Sequence, residues 1–284
     1  MINVDIINRD LLEQVKRGVI SKGIALEVLK KINGEYQSKE IMDILNELAY
    51  EFPSIVCLEY FQRQSYNLNF EGRAFAALPN EKNVFLKIIS NGLMGSNCYL
   101  IGCNGVGVII DPGSHFLKIK KIIESLNVSI KYIIITHGHI DHMLSMDQIR
   151  EFTGARIVMH ELDKEALRST VYNGSVFLSD KHVFKKVDQY VKEGDILEGG
   201  GLQYEIIHTP GHTKGSICIK VENKLFTGDI FFKKNIGKIG YVSGNEAELY
   251  HSYHRILSFD DSYIVYPGHG EFTTIKEEKL KRNV

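Results

Sequence analysis

Tyr132-Ile133-Ile134-Ile135-Thr136-His137-Gly138-His139-Ile140-Asp141-His142 runs from an apolar stretch straight into four potential metal ligands within six residues. The first half reads as a short buried strand rich in β-branched residues. The second half is hard to explain as packing, because each buried imidazole or carboxylate needs a polar partner of its own. A metal satisfies several such groups together, and histidine nitrogen and carboxylate oxygen are donors that suit zinc. Three later segments repeat the format of apolar strand, glycine turn and one ligand. Glu205 to Thr213 offers His212, Leu225 to Asp229 offers Asp229, and Ile264 to Gly270 offers His269. Each glycine is expected to let the chain turn sharply behind its ligand.

Outward from this stretch, short apolar runs ending in turn residues predict buried strands at Phe85–Ser90, Asn97–Ile101, Val106–Asp111, Tyr132–Thr136, Arg156–Met159, Gln203–Thr209, Ile217–Val221, Lys224–Thr227 and Tyr263–Tyr266. Helical spacing predicts helices near Phe116–Leu126, Leu144–Thr153, Glu161–Arg168, Glu246–Leu257 and Ile275–Lys281. Strands and helices mixed in this way indicate an α/β layered domain over residues 84–284. Residues 169–182 read as a polar loop, suited to a lid or substrate wall. Asp111, in an Asp-Pro-Gly turn, reads as structural, with contact to a ligand histidine as the alternative. Cys218 reads as a buried strand residue, and His115, His160, His182, His208, His251 and His254 as surface or core residues.

Residues 1–83 are built differently. They hold none of the 11 histidines and four of the 25 glycines. Apolar residues from Leu11 to Ile32 recur at helical spacing, with Ser21 as a cap and Gly34 as a stop, and a further helix follows Ser38 and ends before Pro53. This segment is expected to be a mainly helical accessory or docking extension. Thirty-four basic and 35 acidic residues leave a formal charge of −1, which gives no electrostatic pull toward nucleic acid or anionic membrane. No run approaches the 18 or so apolar residues of a membrane span, and the N-terminal stretch carries Asp5 and Arg9 where a signal sequence would be apolar. Four cysteines without a Cys-x-x-Cys pair suit a reducing compartment. A cytoplasmic protein is expected.

The order His137-x-His139-x-Asp141-His142, then His212, Asp229 and His269, closely resembles the metallo-β-lactamase superfamily, with 70, 17 and 40 residues separating the successive segments. The resemblance implies a four-layer αββα sandwich. It implies that His137, His139 and His212 hold one metal, Asp141, His142 and His269 a second, and that Asp229 bridges them. Two zinc ions are the expected cofactors, with iron or manganese as alternatives, and a hydroxide between them would attack the substrate while Asp141 orients it. Di-iron flavoproteins of this fold carry a glutamate where His139 stands, and β-lactamases typically offer cysteine or no ligand near Asp229. Within the superfamily the chain looks like glyoxalase II, the hydroxyacylglutathione hydrolases, through Gly95-Ser-Asn-Cys-Tyr99, Ile110-Asp-Pro-Gly113, Pro210-Gly-His-Thr213 and Pro267-Gly-His-Gly270. That resemblance implies a thioester hydrolase, with Gly237-Lys238 helping to bind the thiol carrier.

In place of the tyrosine usual after that Gly-Lys, the chain reads Ile239-Gly240-Tyr241, and it lacks the long C-terminal helical region that completes a glutathione site. A different thiol carrier is therefore expected. Residues 11–32 look like the helical hairpins beside catalytic domains of bacterial polyketide synthases, which implies an acyl group on the phosphopantetheine arm of an acyl carrier protein. A lactonase with the same ligands and an iron-dependent persulfide dioxygenase remain as alternative activities. A degenerate binding module is disfavoured, since all seven ligands are present.

Overall fold

The computed structural model describes residues 84–178, 180–240 and 242–282. The helical reading of residues 1–83, the boundary drawn after them and the position of Tyr241 lie outside the described residues. Within these, two six-stranded sheets form. The first is ordered β1 (Phe85–Ile89), β2 (Cys98–Cys103), β3 (Val106–Ile110), β4 (Ser129–Ile134), β5 (Arg156–His160) and β6 (Gln189–Val191). The second contains β7 (Ile196–Gly199), β8 (Leu202–His208), β9 (Ile217–Val221), β10 (Lys224–Gly228), β13 (Ile264–Pro267) and β14 (Thr273–Thr274), in the order β14-β13-β10-β9-β8-β7. A two-stranded ribbon of β11 (Phe231–Phe232) and β12 (Asn235–Ile236) follows β10 in the chain.

Period-two alternation divides each strand's side chains between two cores. Val108 and Ile110 of β3, Tyr132 and Ile134 of β4, Ile217 and Ile219 of β9 and Phe226 of β10 meet between the sheets. Ile109 and Ile133 point the other way, onto Ile119 and Ile123 of α1 (Phe116–Leu126) and Met146 and Ile149 of α3 (Met146–Thr153). Cys218 and Leu225 face Tyr253, Ile256 and Leu257 of α4 (Glu246–Leu257), with Ile275 of α5 (Ile275–Arg282) beside them. The result is the four-layer αββα sandwich. Among the described residues no helix is long and apolar enough to cross a membrane.

Several elements differ from expectation. The helix expected near Leu144–Thr153 is α3, which begins two residues later at Met146, and an unexpected single turn, α2 (Ile140–Met143), precedes it on the ligand loop. Residues Glu161–Leu167 form consecutive 3-10 turns that bury Asp163, Ala166 and Leu167. The run 169–182 is polar but not loose, since Asn173 and Ser175 are buried and bonded to the His182 carbonyl. Strands β6 and β7 are short edge strands with no expectation behind them.

The histidines at the ends of β5 and β8, His160 and His208, stack with centroids 4.2 Å apart and planes 8° from parallel. His160 Nδ1 accepts from the Leu162 amide, and burial followed by the His208 charge lowers its pKa to about 4. An unfolded histidine titrates near 6.5. Between pH 6.5 and 4 the unfolded chain therefore binds the extra proton, and stability falls as pH is lowered through that window. Urea unfolding of the metal-free protein at pH 7 and pH 4 should show His160→Asn losing about 2 kcal/mol less than wild type on acidification. Identical losses would remove His160 from the acid limb.

Candidate metal centre

The site gathers at the carboxyl ends of strands. β3 pairs parallel with β4 and β10 parallel with β13, so both sheets send their ligand loops to one edge of the sandwich. Beyond β4 the chain passes through Ile135 and Thr136 to His137 and His139, and α2 presents Asp141 and His142. The segments beyond β8, β10 and β13 bring His212, Asp229 and His269. Gly211 and Gly228 turn with φ 135° and 49°, a region unfavourable to other residues. Gly268 is required for space instead: a Cβ there would lie 2.1 Å from Asp229 Oδ1.

The seven residues expected to be ligands are brought together. His139 Nδ1 lies 3.1 Å from His137 Nε2 and 2.9 Å from His212 Nε2. Asp141 Oδ2 lies 3.3 Å from His142 Nε2 and 3.2 Å from His269 Nε2. Asp229 stands between the groups, with Oδ1 3.4 Å from His142 Nε2, and Oδ2 3.4 Å from His269 Nε2 and 3.7 Å from His212 Nε2. Three sets of donor atoms, each within 4.8 Å of one another, can hold an ion: His137, His139 and His212; His137, His142 and Asp229; and Asp141, His142 and His269.

Electrostatics separate the two halves. Burial, then the neighbouring His142 and His212, keeps His137 well below the ordinary imidazole range, and burial with His212 lowers His139 to about 3. These rings are neutral at pH 7 and offer lone pairs. Burial alone would lower His142 and His269 too, yet facing carboxylates outweigh it. Asp141 and Asp229 raise His142 well above its usual value, and Asp229 with Asp141 brings His269 to about 10. The same pairing overcomes burial to hold Asp141 and Asp229 well below the carboxylate range.

A divalent cation fits this donor set. His142 Nε2 and Asp229 Oδ1 are buried without a hydrogen-bond partner, a costly condition that an ion between them relieves. Nitrogen against nitrogen at about 3 Å among His137, His139 and His212 likewise aims three ring nitrogens at one point. The rings are aimed from behind. His142 Nδ1 donates to Asp111 Oδ2 at 2.9 Å, so Nε2 is the nitrogen that faces inward, and it would offer its lone pair once a metal displaces its proton. Asp111 also accepts from the Thr136 amide and hydroxyl, both at 2.7 Å, so the alternative reading of its turn is the one realised. It adopts φ 52°, an uncommon conformation for a non-glycine residue at a functional centre. His212 Nδ1 donates to the Lys238 carbonyl at 2.5 Å. Lys238 thus touches the centre through its backbone while its side chain is exposed.

The rim is partly apolar. Phe232 lies 6.1 Å from the His269 ring, and Ile239 and Val242 stand exposed on the loop that carries Lys238. Nothing in the sequence marked Asp163, which touches both ligand loops from behind.

A family profile described as the Metallo-beta-lactamase superfamily matches residues 91–269. Over 207 residues the chain is 33% identical to the hydroxyacylglutathione hydrolase GloC of Haemophilus influenzae, covering 68% of this chain and 94% of that protein. The solved structure of the BLEG-1 B3 metallo-beta-lactamase matches with a TM-score of 0.66 and 28% identity, over 69% of this chain and 97% of that one. TTHA1623, crystallised in a di-iron-bound form, matches with a TM-score of 0.60 and 24% identity, over 68% and 96% of the two chains.

Proposed function

Because the chain belongs to the metallo-β-lactamase superfamily, we propose that it is a dinuclear zinc hydrolase of acyl thioesters. The observation that carries the reading is Asp229, whose two oxygens face His212 of one histidine group and His142 and His269 of the other. His137, His139 and His212 would hold the first ion, and Asp141, His142 and His269 the second. Bound there, the metals supply Lewis acidity and a nucleophile drawn from water at neutral pH.

The chain's residues do the rest. Asp141 and Asp229 remain ionised as ligands, and the free oxygen of Asp141 orients the attacking water and accepts its hydrogen bond. Asp111 and the Lys238 carbonyl fix the tautomers of His142 and His212. No side-chain nucleophile is needed. Support for a thioester comes from the relative in Haemophilus influenzae, named a hydroxyacylglutathione hydrolase. The thiol carrier is an acyl-carrier-protein phosphopantetheine or a coenzyme thiol in preference to glutathione, with residues 1–83 as the docking segment for a carrier protein or polyketide synthase.

A panel of acyl-carrier-protein, acyl-coenzyme A and hydroxyacylglutathione thioesters, a lactone and a β-lactam tests this. The β-lactam belongs there because one structural neighbour is a B3 metallo-beta-lactamase. A kcat/KM for one thioester at least tenfold above the lactone and β-lactam supports the reading, and the reverse order rejects it. Lys238→Ala separates the side chain from the backbone. It keeps the carbonyl on His212, so metal content should stay at the wild-type level while KM for the preferred thioester rises about tenfold, one cation's share of binding. An unchanged KM would make Lys238 a solvated loop residue.

A further inference from the structure

Asp163 is fully buried, and among the described residues no lysine or arginine pairs with it; its four hydrogen-bond partners there are donors drawn from three separate segments. Oδ2 accepts from the Gly138 amide at 2.8 Å and the Thr213 hydroxyl at 2.7 Å. Oδ1 accepts from the Gly215 amide at 2.9 Å and faces the Tyr172 hydroxyl at 3.3 Å. Gly138 lies between His137 and His139, and Thr213 follows His212. One carboxylate therefore ties together the two loops that carry the three-histidine group. The fit is close on both sides: a Cβ on Gly138 would lie 2.5 Å from the Ala166 Cβ, and one on Gly215 2.6 Å from the Asp163 Cγ.

The tie extends outward. The Tyr172 hydroxyl also lies 2.9 Å from Ser243 Oγ, and the Lys214 amide donates to the same oxygen at 3.3 Å. Ser243 belongs to the loop that carries Lys238, Ile239 and Val242 along the rim. The near end of that loop is held separately, by the Gly240 amide on the His212 carbonyl at 2.8 Å. The far end is also held by the Asn245 amide on the Gly211 carbonyl at 2.8 Å, so breaking the Tyr172–Ser243 contact loosens the loop at Ser243 and leaves both ends anchored.

We propose that Asp163 is a positioning residue that sets the spacing of His137, His139 and His212 for their metal, and that Tyr172 and Ser243 transmit this placement to the substrate-facing loop. The inference rests on the metal-centre reading above. Asparagine cannot replace the carboxylate. Either orientation of its amide turns an NH2 group toward a backbone N–H, at Gly138 or at Gly215, and a backbone donor cannot reverse as a hydroxyl can.

The test is zinc titration of the metal-free full-length protein against a chromophoric chelator, with cobalt(II) spectra recorded in parallel. Wild type should take up two zinc ions; failure to do so would overturn the metal reading itself, independently of Asp163. Asp163→Asn should weaken one of the two zinc sites about 10–100-fold, the usual effect of removing support behind a ligand, and alter the cobalt d–d bands. Tyr172→Phe and Ser243→Ala should leave the zinc titration in place and raise KM several-fold for the preferred thioester. Wild-type zinc affinity in Asp163→Asn, or unchanged KM in both outer variants, would overturn the proposal. If Asp163→Asn does not fold, Thr213→Val, which deletes one donor while keeping the side-chain shape, must weaken one zinc site on its own, and wild-type affinity there would count equally against it.

Discussion

Asp229→Ala is expected to lose both metals and to lower thioester turnover by about 10³-fold, equivalent to about 4 kcal/mol of transition-state stabilisation. Among the described residues no other carboxylate has oxygens facing both histidine groups at once. Its removal also takes away the leading cause of the raised pKa of His269 and a main cause of that of His142. The second group then loses its internal charge balance as well as a ligand. Mass-spectrometric metal content and steady-state turnover, measured on the same preparation, check this. A variant that keeps one tightly held ion and a tenth or more of wild-type activity would sink the bridging role.

The second large effect is on stability. A ligand that binds the folded state alone stabilises it by about 4 kcal/mol when present at a thousand times its dissociation constant. Two such ions on a domain of this size imply a midpoint drop of well over 10 °C on chelation, at about 2–4 °C per kcal/mol. His142 Nε2 and Asp229 Oδ1, buried and without a hydrogen bond, are where the metal-free protein loses this support. Thermal unfolding with zinc and with chelator measures it. A shift under 2 °C would mean that these groups have no tightly bound ion to lose.

Much of the site could be read from the chain because it is local in form. Each ligand follows an apolar strand and a turn, and a strand end leaves few directions for the next side chain. The residues gave an α/β layered domain and the family resemblance its αββα order, which the structure realises with Ile109 and Ile110, or Ile133 and Ile134, adjacent in sequence yet facing opposite cores. The supporting groups could not be read from the chain. Asp163 sits in an unremarkable turn, and its partners lie between 9 and 52 residues away, so only the folded chain brings them together. Lys238 acts on His212 through a carbonyl, which every residue has. Strand β6 has three residues and β7 four, too few to show a period. The turn before Leu144 had no expectation behind it; Ser145, at φ −108°, separates this turn, which carries Asp141 and His142, from the helix that follows. The extra turn is set by the site, not by helical propensity.

Elemental analysis of the purified full-length protein, with turnover measured on the same sample before and after chelation, tests the central claim most directly. The account predicts two zinc ions per chain, thioester hydrolysis abolished by the chelator and restored by two equivalents of zinc. One iron per chain, with oxygen consumed on a persulfide and no thioester cleaved, would contradict it.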